Sequence, residues 1–137
     1  MRHAPYESEY QAVQTMSDAE LLDYFLIRIA ESDEVWGLNK KSALFTRELN
    51  GKNTVPVWAY LKYAREAALD YWQDCVPNAM SLEYFVFQTL QQLIDQDVLV
   101  EIMPGAEKPG CVITPHRLMD ILVGIMHTRE YRLDADG

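Results

Sequence analysis

The sequence predicts an α+β domain, with a mainly antiparallel sheet of four to five short strands covered by about four helices. Three observations carry this reading. Several segments repeat apolar residues at helical spacing, and short β-branched or aromatic runs are bounded by Gly, Pro and Asn. The two kinds then alternate too irregularly for a doubly wound parallel sheet. The predicted order is helix, hairpin, short strand, helix, helix, hairpin, helix. An α/β layout, with parallel strands linked through the middle helices, is the alternative.

Residues 1–15 are polar and read as a loosely ordered acidic arm, because termini fray unless docked. A single globular domain spans 16–128, and 129–137 form a polar tail. Ser17, with Glu20 three residues on, makes a capping box, and Leu21, Leu22, Phe25, Leu26 and Ile29 follow on one face. A helix from about 18 to 31 is predicted. "EVWGL" and "ALFTREL" flank "NKKS" as a hairpin, with Asn39 suited to the turn. "LNGKN" is a second turn and "TVPVW" a short strand. Pro56 cannot donate to a ladder, so that strand should be an edge or a strand end.

"AYLKYAREAAL" is alanine-rich and places Leu61, Ala64 and Ala68 on one side of a helix. Ser81 caps the next helix, whose buried stripe is Leu82, Phe85, Val86, Leu90, Leu93 and Ile94. "VLVEIM" and "GCVIT" are strands around the loop "PGAEKPG". Thr114 and Pro115 then open a last helix as N-cap and first helical residue. The core is expected from the helix stripes and from Val35, Trp36, Phe45, Val100, Ile102 and Val112.

At 137 residues the chain is long enough for one domain with its own core. Its net charge of −9 argues against a nucleic-acid partner, which would need Lys and Arg to neutralise phosphates. The charge is uneven. Lys40, Lys41, Arg47, Lys52, Lys62 and Arg65 form a basic island between acidic ends. No apolar run approaches the ~20 residues that cross a bilayer, so no membrane association is expected. The N-terminus lacks the apolar core of a signal peptide, and a cytoplasmic setting is expected. Cys75 and Cys111 then read as buried reduced thiols.

Catalytic patterns are absent from the sequence. It holds no Gly-rich phosphate loop, no GxSxG, no CxxC and no HExxH. His116 and His127 fall about 16 Å apart on one predicted helix and cannot share a metal. No cofactor or metal is expected. Asp74 beside Cys75 would raise rather than lower the thiol pKa. Asp70 and Asp74 share a helical face, a spacing more typical of exposed carboxylates than of an acid–base pair.

The aromatics of "VPVWAYLKYAREAALDYWQDC" carry the functional expectation. Tyr60 and Tyr63 beside Lys62 and Arg65 mix Tyr and cations, as protein interfaces do. These four, with Trp58 and Trp72 as anchors, are the expected contacts for another protein. Half-burial of the rings with hydroxyls in water is the plain alternative. The competing function is a small-molecule-binding or hydrolytic pocket near Trp58, Trp72, Asp74 and Cys75. The apolar face of the last helix, from Leu118 to Met126, is wide enough to ask for cover by the N-terminal arm or by a second chain in a homodimer.

The chain resembles a bacterial family, domain of unknown function 2750. The resemblance rests on Val35-Trp36-Gly37-Leu38, Pro56-Val57-Trp58 and Tyr63-Ala64, then Trp72, Ser81 to Phe85, Val112 and Thr114-Pro115. It covers about 18–125 and implies a small, stand-alone bacterial protein with no assigned activity and no catalytic residue to carry over. The Pro-Val-Trp strand leading into a covering helix is also similar in layout to SseB domains, which would imply an interaction module.

Overall fold

The structure, a computed structural model, describes residues 4–70, 72–105 and 108–136, with the side chains of all of these except Asp70 and 129–136. The expected loose arm is in part a helix, α1 (Glu7–Val13). Its order comes from docking against later segments, which the local sequence does not contain. Helix α2 (Asp18–Ser32) starts as expected. The Ser17 hydroxyl accepts from Glu20 N–H (3.3 Å), and Glu20 accepts from Ser17 N–H (3.1 Å). Hydrogen bonds to Ser17, from its backbone first, hold the Glu20 carboxyl below its usual pKa. Asp33, in the left-handed region at φ 58°, ends the helix.

Strands β1 (Glu34–Lys40) and β2 (Ala43–Leu44) form the first hairpin, turning through Lys41 and Ser42. Both turn residues have positive φ, the twist that two-residue hairpins favour. Strands β3 (Arg47–Leu49) and β4 (Lys52–Val57) turn through Asn50 and Gly51. Helix α3 (Leu61–Asp70) and strand β5 (Val76–Ser81) follow. Next come α4 (Leu82–Tyr84), a π-helical turn (Phe85–Thr89) and α5 (Leu90–Gln96), which run on as one rod. Strands β6 (Leu99–Ile102) and β7 (Cys111–Ile113) precede α6 (Pro115–Asp136).

The α+β class holds, but the sheet is not the single, mainly antiparallel one expected. Two sheets form, β2-β1-β5 and β3-β4-β6-β7, and the second is mixed because β4 and β6 run parallel. A mutual backbone pair between Trp36 and Trp58 (2.9 and 2.7 Å) links the two. Pro56 therefore lies in a strand with neighbours on both sides. Val57 accepts from Met103 N–H (2.9 Å), so Val55 and Val57 face β6, whereas Thr54, Pro56 and Trp58 face the other edge. On that edge β3 stops opposite Thr54, and β1 resumes only at Trp58. The missing N–H of Pro56 falls in the gap, the one place where it costs no ladder bond.

Helix α3 packs against β1 and β5, while α2 and α6 lie together, with α2 against β6 and β7. Leu21, Phe25, Ile29, Leu90, Leu118 and Leu122 are fully buried between them. Val112, expected in the core, is 42% exposed, because Cys111 and Ile113 on either side take the inward positions of β7. Trp36 and Phe45 are only half-buried at the rim of the core.

Candidate functional site

The expected protein-binding patch does not present its aromatic members to solvent. Trp58, Tyr60 and Tyr63 are 1%, 2% and 7% exposed. Tyr63 is covered by α1, which sequence spacing could not connect to α3. The Tyr10 ring stacks on Tyr63 at 5.9 Å, the Tyr10 hydroxyl donates to Glu66 (2.8 Å), and Lys62 Nζ sits 4.3 Å above the Tyr10 ring. Tyr24 donates to Glu9 (2.7 Å), and its oxygen lies 3.0 Å from that of Tyr63. The single Tyr24 proton is committed to the carboxylate, so Tyr63 donates to Tyr24. Burial raises both phenol pKa values, that of Tyr63 to about 12 and that of Tyr24 further, where Glu9 adds to the effect. Arg28 faces Glu9 at 3.4 Å. Arg65 alone of the patch is exposed.

Trp72 lies elsewhere. Its ring contacts Phe45 (5.2 Å) and Trp58 (6.0 Å), with the Arg47 guanidinium 5.2 Å from its centre. Arg47 also forks onto Glu101, with Nε donating at 2.8 Å, and Gly110 N–H donates to the same carboxylate at 2.9 Å. Glu101 is entirely buried, so these three donors replace its water. A Cβ on Gly110 would sit 2.2 Å from the Ile102 carbonyl oxygen, and only glycine lets the loop approach this closely.

Of the second expected site, Trp58 and Trp72 are in ring contact (6.0 Å) and Cys75 N–H donates to the Trp72 carbonyl (2.9 Å). Asp74 points to solvent and pairs with Lys40 (3.5 Å), and the Asp70 side chain lies outside the described residues. Cys75 is buried, and burial raises its thiol pKa; Lys40 opposes this and Asp74 adds to it. A raised thiol pKa is the reverse of what a nucleophile needs. Cys111 is buried and shifted the same way, again mainly by burial.

A half-open cleft of about 600 Å³ lies elsewhere among the described residues. Its floor is the face of the small sheet that carries Asn39, Leu44, Asn78 and Met80, and its wall is the rod of α4, the π-turn and α5, through Tyr84, Thr89 and Gln92. Ser42 and Ser81 complete the rim. Gly37 lies at the middle of the floor. A side chain there would press on Leu44 (3.0 Å) and Met80 (3.2 Å), so its absence keeps these two in place.

None of the described lining residues carries a charge. The uncharged surface continues along the rod, where Tyr84 and Phe87 are half-exposed and Gln88, Gln91 and Gln92 face solvent. Sequence reasoning missed this site, because its parts lie up to some fifty positions apart. Two signals were present, a glycine inside a strand and an unbroken uncharged run from Tyr84 to Ile94. The cleft can hydrogen-bond a neutral group through amides and hydroxyls. It offers no carboxylate, imidazole, amine or thiol for acid–base or nucleophilic work.

Among the described residues, no three His, Cys, Asp or Glu side chains converge as a metal site. None of their helices is long and apolar enough to cross a membrane. The sequence profile of a family described as "Protein of unknown function (DUF2750)" matches residues 22–122. The chain belongs to this family. The match runs from within α2 into α6 and so spans all seven strands and the residues that line the cleft, while α1 lies outside it. No curated protein matches the chain.

Proposed function

We propose that this DUF2750 member is a non-enzymatic protein-interaction module whose contact face is the uncharged surface of Tyr84, Phe87, Gln88, Gln91 and Gln92 together with the adjoining cleft. One observation carries the reading. In a chain with 24% charged residues and a net charge of −9, this surface carries no charged residue from Tyr84 to Ile94, with Glu83 and Asp95 at its two ends, and exposes two large aromatic rings. Charge depletion with aromatic enrichment is the compositional mark of interface centres. The partner would present an equally uncharged patch, with an apolar side chain over Phe87 and amide groups in reach of the glutamines.

The test compares partner capture by the native chain, by Phe87→Glu with Gln91→Lys, and by Lys62→Glu with Arg65→Glu. A partner lost only with the first pair supports this face. Unchanged capture by the first pair, with loss on reversing Lys62 and Arg65, returns the site to α3.

A second reading is favoured by the cleft volume, which lies in the range of small-molecule sites. Its ligand would be neutral and rich in hydrogen-bonding groups. Thermal-shift screening against uncharged metabolites checks it, with Gln92→Ala expected to cancel any stabilisation. No hit in the native chain would leave only the protein partner.

A further inference from the structure

The outer edge of β5 has a hydrogen-bonding pattern that the chain itself fixes. Trp36 exchanges both its backbone bonds with Trp58, and Leu38 accepts from Phe45 N–H (2.8 Å), so both residues face away from β5. Their partners across the ladder are Ala79 and Pro77. In an antiparallel pair such residues turn their own backbone groups outward as well. Leu82 N–H bonded to Asp33 (2.9 Å) confirms the alternation at the far end. The open edge therefore presents, in order, the Pro77 carbonyl, the Ala79 N–H and carbonyl, and the Ser81 N–H. Ala79 is exposed, and its outward groups have no backbone partner among the described residues.

We propose that this edge is an interface for a second copy of the chain, paired antiparallel about a two-fold axis at Ala79. In that register the two Ala79 residues exchange their N–H and carbonyl groups. Each Ser81 N–H then meets the partner's Pro77 carbonyl, and all four outward groups are used. Pro77 ordinarily blunts an edge because it has no donor. Here the missing donor would face only the Ser81 carbonyl, where the strand ends at the N-cap of the following helix.

The sequence from Cys75 to Leu82 has no charge, so the edge lacks the lysine or inward carboxylate that keeps natural edges apart. Val76, 63% exposed, falls opposite residue 82 of the other copy, at the start of the rod that carries the half-exposed Tyr84. The outward pattern is only residues 77–81 long, and a foreign strand would gain those few bonds once. A two-fold partner supplies the same bonds and the same two apolar side chains from both sides. The product is a continuous sheet in the order β2-β1-β5-β5-β1-β2. The edge borders the cleft, which Ala79 and Ser81 help to line, but the inference does not depend on the rod surface from Phe87 to Gln92, which is tested by its own variants.

Sedimentation of the full chain from low micromolar to millimolar concentration, with amide exchange at both extremes, tests it. The expected result is a dimer on concentration, with the Ala79 and Ser81 amides slowed at least about tenfold relative to dilution. Ala79→Pro should hold the chain monomeric while keeping its tryptophan spectrum, since that N–H makes no bond to β1. A monomer at every concentration overturns the proposal, as does a dimer that survives Ala79→Pro. Should Ala79→Pro fail to fold, exchange in the native chain decides, and concentration-independent exchange at Ala79 overturns it. Protection at Ala79 without dimer formation would mean another occupant and would also overturn it.

Discussion

Two carboxylates take up buried hydroxyl or guanidinium donors in this molecule, and they hold different things. Glu101 sits wholly inside the mixed sheet and takes three donors from Arg47 on β3 and from Gly110 in the loop before β7. Glu9 sits on a seven-residue helix and receives the Tyr24 hydroxyl, itself backed by Tyr63. The first cluster joins elements that the fold cannot lose. The second fastens one helix onto a surface already packed. Equal-looking polar networks should therefore differ in what fails when they are cut, global structure in one case and α1 docking in the other.

Arg47→Ala is the sharpest way to break the comparison. It leaves the Glu101 charge buried with a single donor and should cost about 3–5 kcal/mol, together with the packing on Trp72. Urea denaturation followed by tryptophan fluorescence reads it. A loss below about 1 kcal/mol would mean that water reaches Glu101 and the cluster is not sealed.

Tyr24→Phe should cost less, about 1–2 kcal/mol, because it removes one buried donor and strips Tyr63 of its acceptor. Faster amide exchange confined to 7–13 is the signature. Exchange that rises equally in β6 would show that α1 is part of the global unit after all.

Alkaline pH sharpens the same point. Tyr63 titrates near 10 when unfolded and near 12 when folded, so its burial supports folding below pH 10 and that support fades as pH climbs towards 12. The urea midpoint should fall over this window, and less steeply in Tyr63→Phe. Matching profiles for the two proteins would exclude Tyr63 as a source of the slope. The smallest effect belongs to Ser17→Ala, about 1 kcal/mol from the lost cap of α2, an end that touches neither cluster. Circular dichroism on heating suffices to check it.

What the sequence made legible was whatever is decided locally. The capping box placed α2 to within a residue at each end, Thr114 and Pro115 placed the start of α6, and the loop before Cys111 placed the hairpin of β6 and β7. Strand β5 was not legible, because Pro77 and Asn78 read as turn residues and become strand only through pairing with β1. The two-sheet division depended on the return of β6 beside β4, across some forty residues that carry no sign of it. Tyr60 and Tyr63 lie deeper than either the interface or the half-buried reading allowed, and the helix that covers Tyr63 comes from the other end of the chain. The cleft escaped for the same reason. Its walls are recruited from three separated stretches, and the individual residues are ordinary amides and hydroxyls.

The division into two sheets has a consequence for how the chain can be cut. The small sheet takes its strands from 34–44 and 76–81, and the larger one from 47–57 and 99–113. Each sheet is interrupted in sequence by part of the other. No breakpoint between Arg47 and Ser81 leaves either sheet whole, so neither is a self-contained cassette. A library of nested truncations should yield soluble products only when the stretch from Glu34 to Ile113 is kept entire, so the two sheets are one indivisible folding piece.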